Sequence, residues 1–123
     1  MPDDKATISE LRGWINGFNK ERAWEKHLLP KDIAIDISNE AAEVLEHMVY
    51  KNDEEIEQML KDAAKREEVE DEAADVLWAL LNFSIAAKID LTSALERKIK
   101  KTAMRYPADK VRGSKKKYTE YED

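Results

Sequence analysis

The stretch from Val76 to Ala87 narrows the fold more than any other part of the chain. Val76, Leu77, Trp78, Leu80, Leu81, Phe83 and Ile85 crowd it, and among its polar residues only Asn82 and Ser84 interrupt the apolar run. Read at helical period, it is apolar on most sides, so it belongs at the centre of a bundle or in a subunit interface. It is too short and too interrupted to span a bilayer. A chain of 123 residues is one domain by length. Its modest core has difficulty covering such a helix alone. A hydrophobic fraction of 42%, a charged fraction of 39% and only 3 Gly and 3 Pro favour helices over sheets. The expected fold is all-α, a bundle of four to five helices assembled as a homo-oligomer.

Taken in order, the chain supplies the other helices. Thr7-Ile8-Ser9-Glu10 is a capping box that opens a helix through Ile8, Leu11, Ile15 and Phe18. That helix is expected to end between Trp24 and Leu29, ahead of Pro30. A second helix covers Lys31 to Tyr50, with a stripe of Ile33, Ile37, Ala41, Val44 and Met48 widened by Ala34 and Leu45. Asn52 or Asp53 caps a short helix from Glu54 to Lys65. A break near Lys61 to Lys65 leads into the long apolar helix, which ends near Lys88. Asp90 caps a last helix through Leu95, Ile99 and Met104, stopped by Pro107. Residues 108–123 read as a basic tail or extended arm, with a turn at Gly113-Ser114.

Two short acidic signatures carry the chemistry. Glu40-Ala41-Ala42-Glu43 lies on the second helix and Glu72-Ala73-Ala74-Asp75 on the long one. Spacing of i, i+3 sets both carboxylates of a pair on one helix face. One such pair is ordinarily a solvated face. Two pairs beside apolar stripes on neighbouring helices direct four carboxylates into one cleft, where a divalent cation relieves their repulsion. Asp36, Glu43 and His47 continue the flank on which Glu40 lies. Di-iron bundles use Glu-x-x-His. Here the fourth residues are Glu43 and Asp75, so the donors favour Mg²⁺, with Mn²⁺ as a substitute. Magnesium held this way keeps positions open for phosphate oxygens, which implies phosphoryl or pyrophosphoryl transfer. Glu68, one turn before Glu72, is a candidate spare base, though a surface acid is the plainer reading.

The net charge of −6 is unevenly spread, with acids dominating from Asp53 to Asp75 and bases from Arg97 to Lys117. A carboxylate–metal site facing a polyanion wants this split. Two solvated surfaces that attract each other would show it too. Overall acidity and the lack of base-reading motifs argue against nucleic acid as a partner. No cysteine is present, which fits a reducing cytoplasm. No apolar run follows a basic segment at the N-terminus, so neither a signal peptide nor a membrane partner is expected.

The chain also resembles a known family. Phe18-Asn19-Lys20-Glu21-Arg22-Ala23-Trp24, Leu29-Pro30-Lys31-Asp32-Ile33-Ala34 and Ser38-Asn39-Glu40-Ala41-Ala42-Glu43 occur in order. Asp71-Glu72-Ala73-Ala74-Asp75-Val76-Leu77, Arg105-Tyr106-Pro107 and Gly113-Ser114-Lys115-Lys116-Lys117-Tyr118 follow. Together they resemble the MazG-like, all-α NTP pyrophosphohydrolases, in particular the small single-domain group that includes dCTP pyrophosphatase.

The resemblance implies one domain over 1–123 that cuts nucleoside triphosphates between the α- and β-phosphates. The products would be a monophosphate and pyrophosphate, in nucleotide-pool house-cleaning. It implies Mg²⁺ on Glu40, Glu43, Glu72 and Asp75, with Glu40 and Glu43 serving water activation, and a dimer or tetramer. Trp24 and Lys31 match positions lining the family's nucleotide cleft, and His27 is a further substrate candidate. Lys98, Arg105 and Tyr106 match the basic segment that approaches the phosphates. Many members carry Asn-x-x-Lys-Tyr-Pro there, whereas this chain has Thr102 and Arg105. The position of Ala23 is often acidic in relatives. The alternative is a non-catalytic helical interaction or nucleotide-binding protein, against which the four intact carboxylates argue.

Overall fold

The computed structural model describes residues 1–115 and 118–120. Every regular element among them is helical: α1 (Ile8–Glu21), α2 (Pro30–Met48), α3 (Asp53–Lys61), α4 (Ala63–Ala86), α5 (Leu91–Arg105) and α6 (Ala108–Val111). Single 3₁₀ turns add Glu25–His27 and Tyr118–Glu120. The chain forms two compact units, Met1–Ile89 and Asp90–Asp123.

The first unit is built on α4. Helices α1, α2 and α3 all pack against it, α2 most extensively. Its centre holds Ile15 of α1, Ile33 of α2, and Ala79 and Leu81 of α4. Burying one such leucine contributes roughly 1.5–3 kcal/mol. Ser84, also fully buried, donates its Oγ–H to the Leu81 carbonyl at 2.7 Å, so the helix satisfies its own interior polar group. On α2 the packed face runs through Ile33, Ile37, Val44 and Met48, as the spacing predicts. Ala34, Ala41 and Leu45 instead face outward, Leu45 being 59% exposed, because the face rotates toward Glu40, Glu43 and His47. Trp14, Leu77 and Leu80 remain partly exposed beside α4, so the unit does not cover its apolar helix completely.

Local chemistry sets the helix ends. Thr7 and Glu10 form the expected capping box, at 3.1 and 2.9 Å. Asn52 and Glu55 form a second one, so Asn52 rather than Asp53 caps α3. Helix α1 stops at Glu21, earlier than its apolar spacing suggests. Ala23 adopts a left-handed φ of 52°, which costs an alanine roughly 1 kcal/mol. The turn recaptures carbonyls in exchange: Trp24 N–H donates to Asn19, Ala23 N–H to Lys20, and the Arg22 guanidinium to Phe18. Pro30 opens α2 at its first position, where its missing N–H is no loss. At its other end α2 stops at Met48, two residues short of Tyr50, where Val49 turns extended. Asp62 closes α3 and caps α4, its carboxylate accepting from Ala64 and Lys65 at 3.0 and 3.2 Å.

In the second unit Asp90 caps α5 by accepting from the Ser93 amide at 2.8 Å. Residues 108–111 form a turn of helix after Pro107 rather than an extended arm, and Gly113 takes the turn with φ 80°. Lys116 and Lys117 of the basic run, and residues 121–123, lie outside the described residues.

Leu81→Ala lowers unfolding free energy by roughly 2–5 kcal/mol, whereas Asp62→Ala costs about 1 kcal/mol. Urea midpoints at unchanged m-value measure both. Equal losses at the two positions would place the core elsewhere.

Candidate metal and nucleotide site

The two acidic signatures meet midway along the α2–α4 contact. Glu40 faces Asp75 and Glu43 faces Glu72, a pairing that requires the two helices to run antiparallel. One carboxylate oxygen from each of the four residues lies within 4.8 Å of the others. Small side chains at Ala41, Ala42, Ala73 and Ala74 keep bulk away from the spacing between the acids. Glu40, Glu43 and Glu72 are half-buried and Asp75 is exposed.

Crowding shows in their proton affinities. Glu40 is pushed up from 4.5 to about 6, first by a hydrogen bond shared with Glu43, then by burial and by the charges of Glu43, Asp75 and Glu72. Glu72 is raised by its own hydrogen bond to Glu43, by burial and by the Glu43 charge. His47 opposes that rise, its Nε2 lying 3.7 Å from Glu72 Oε1. Two oxygens, Glu40 Oε2 and Glu72 Oε2, are buried with no hydrogen-bond partner. Buried acceptors in that condition want a donor or a cation. A donor set of four hard carboxylates fits Mg²⁺ or Mn²⁺.

Next to the acids opens a cleft of about 410 Å³ lined by Phe18, Trp24, Asp36, Glu40, Asp75, Trp78, Ala79 and Asn82. Its aromatic wall is anchored on Phe18. Trp78 meets the Phe18 ring edge-on at 4.9 Å, and Trp24 meets it at 5.8 Å. The Arg22 guanidinium covers that ring at 3.5 Å. The α1 turn that ends at Glu21 is what brings Trp24 back to this wall. Asp75, Ala79 and Asn82 share one face of α4, at i, i+4 and i+7.

Of the residues singled out from sequence, Glu40, Glu43, Glu72, Asp75 and Trp24 are brought together. Others are not. Glu68 is exposed, 3.7 Å from Lys65, and stands outside the four-carboxylate group. His27 sits in the exposed 3₁₀ turn and Lys31 on the exposed first turn of α2; neither lines the cleft. Lys98 and Tyr106 line a groove of about 440 Å³ within the second unit, with Thr102, and Arg105 is exposed beside it. Asn82 carries no obvious motif, and Phe18, part of a matched stretch, was not singled out as a site residue. A polar residue two turns after Asp75 inside an apolar run was the available signal for Asn82. A wider hollow of about 800 Å³ along α3 includes His47 but none of the four carboxylates.

The raised proton affinities have a consequence for stability without metal. An acid whose folded pKa lies above its unfolded one stabilises the fold below about 4.5 and loses that contribution as pH rises through about 6. In EDTA, wild-type thermal stability therefore declines across this window more steeply than that of Glu40→Gln, which carries no charge there. Parallel curves for the two proteins would show that the carboxylates do not repel.

Comparison with known proteins places the chain. Residues 35–121 match the profile of the MazG-like family. The dCTP pyrophosphatase 1 of Homo sapiens is 30% identical over 114 residues, covering 93% of this chain and 67% of that protein. The Bos taurus protein of the same name is 29% identical over 114 residues. The crystal structure of a pyrophosphatase from Archaeoglobus fulgidus superposes with a TM-score of 0.76 at 33% identity, covering 87% of this chain and 98% of that one. The match runs through both acidic signatures, and the chain belongs to the MazG-like family.

Proposed function

We propose that the protein is a nucleoside triphosphate pyrophosphohydrolase, dependent on Mg²⁺, that releases a nucleoside monophosphate and pyrophosphate. The observation that carries this reading is the four-carboxylate group with two unpartnered buried oxygens, set at one end of an aromatic-walled cleft. Relatives named as dCTP pyrophosphatases and as a pyrophosphatase support it. Glu40, Glu43, Glu72 and Asp75 would hold the metal, which when bound neutralises phosphate charge and lowers the pKa of water.

The remaining work falls to the chain's own groups. Phe18, Trp24 and Trp78 give a base a flat apolar face, and each stacked base is worth about 1–3 kcal/mol. Water attacks phosphorus, the bond to the bridging oxygen breaks, and pyrophosphate leaves. The proton of that water passes to Glu40 or Glu43; at Glu40 the hydrogen bond with Glu43 already raises the affinity for one. Lys98, Arg105 and Tyr106 offer donors suited to phosphate oxygens, the role the resemblance assigns them. A homo-oligomer, dimer or tetramer, would cover Trp14, Leu77 and Leu80. Nucleotide-pool house-cleaning in the cytosol is the setting that this activity suits.

A release assay over canonical and modified nucleoside triphosphates with Mg²⁺ yields pyrophosphate as the direct product; orthophosphate instead would refute α–β cleavage. Glu40→Gln and Asp75→Asn each lower kcat/KM by at least about 10²-fold with helicity intact. Near-normal turnover in either variant would remove the ligand assignment. Trp24→Ala raises KM by about tenfold through lost stacking, with a smaller change in kcat.

A further inference from the structure

Asn82 lines the cleft beside the four carboxylates. Seven residues beyond Asp75 on the same helix face, it lies about 10 Å further along α4. That interval suits a sugar and a phosphate between metal-held oxygens and a base. Asp36, one turn before Glu40 on α2, also lines the cleft and offers acceptors only.

The carboxamide of Asn82 does not turn freely. Its Oδ1 accepts from Asn19 Nδ2 at 3.0 Å, and Asn19 is only 2% exposed. Asn19 is itself fixed twice over, since its carbonyl accepts the Trp24 amide that closes α1. An amide whose oxygen is engaged from behind presents its NH₂ forward. No hydrogen bond from Asn82 Nδ2 occurs among the described residues, which leaves two donors for the cleft.

Resting on the nucleotide reading above, the geometry points to Asn82 as a base-reading residue. Its Nδ2 donates to a carbonyl or ring-nitrogen acceptor of the base, and Asn19 is the positioning residue that fixes its orientation. Stacking on the aromatic wall is indifferent to base identity. The amide adds a requirement for an acceptor on the base edge, so the site takes hydrogen-bonding nucleobases in preference to flat apolar rings.

The test uses the full chain with Mg²⁺ and calorimetric binding of α,β-imido deoxynucleoside triphosphates that resist cleavage. One set carries natural bases. The other carries a phenyl ring, which stacks but has no acceptor. Wild type prefers natural bases by about tenfold, and Asn82→Leu abolishes that gap by weakening only the natural-base analogues. Asn19→Ser narrows the gap in the same selective way, whereas a merely structural loss would weaken both sets alike. Should Asn19→Ser fail to fold, the Asn82→Leu result decides alone. A gap that persists in Asn82→Leu, or none in wild type, overturns the assignment and leaves the nucleotide reading standing. Failure of every analogue to bind wild type overturns both.

Discussion

Four like charges held within a few ångströms are the constraint around which the first unit is arranged. Carboxylates left to themselves would separate, and what prevents it is the contact of α2 with α4, the most extensive in the unit. Ile33 on one helix, and Ala79 and Leu81 on the other, supply the apolar adhesion near the acids. Hydrogen bonds to Glu43, burial and the neighbouring charges make Glu40 and Glu72 bind protons more tightly than free side chains do. One oxygen from each of the four lies within 4.8 Å of the others, so the cluster could hold a metal ion.

The cleft beside this load depends on a single turn. Between Phe18 and Trp24 the chain ends a helix, turns through a left-handed alanine and returns an indole to the ring it just left. The last turn of α1, just before it, provides the buried amide that grips Asn82 across to α4. Aromatic wall and polar lock therefore come from neighbouring residues, so the shape of the cleft and its hydrogen-bonding character are set together.

Much of this was legible in the residues, and the exceptions have physical causes. The acidic signatures declared themselves through i, i+3 spacing beside apolar stripes, and capping at Thr7 and Asp90 through side-chain chemistry confined to one turn. The long helix was evident from its apolar run read at helical period. The end of α1 was not. Its carbonyls are recovered by backbone and arginine donors after an alanine, where glycine would have been the usual sign. Ala34, Ala41 and Leu45 misled because an apolar stripe broader than the contact looks the same on a helical wheel as one that is fully packed. Asn82 looked like an interruption because its partner lies 63 residues away. Glu68, His27 and Lys31 had the right chemistry at positions the helices turn toward solvent.

The junction at Asp62 has a bearing on how such a chain can change over generations. That residue ends α3 and begins α4 with no loop between them. An inserted residue there has no slack to absorb it. It would change how Ile56, Met59 and Leu60 meet α4, against which α3 packs. Length variation is thus better tolerated beyond Pro107 than at this joint. Substitutions within the helices leave this joint intact; a change of spacing across Asp62 does not.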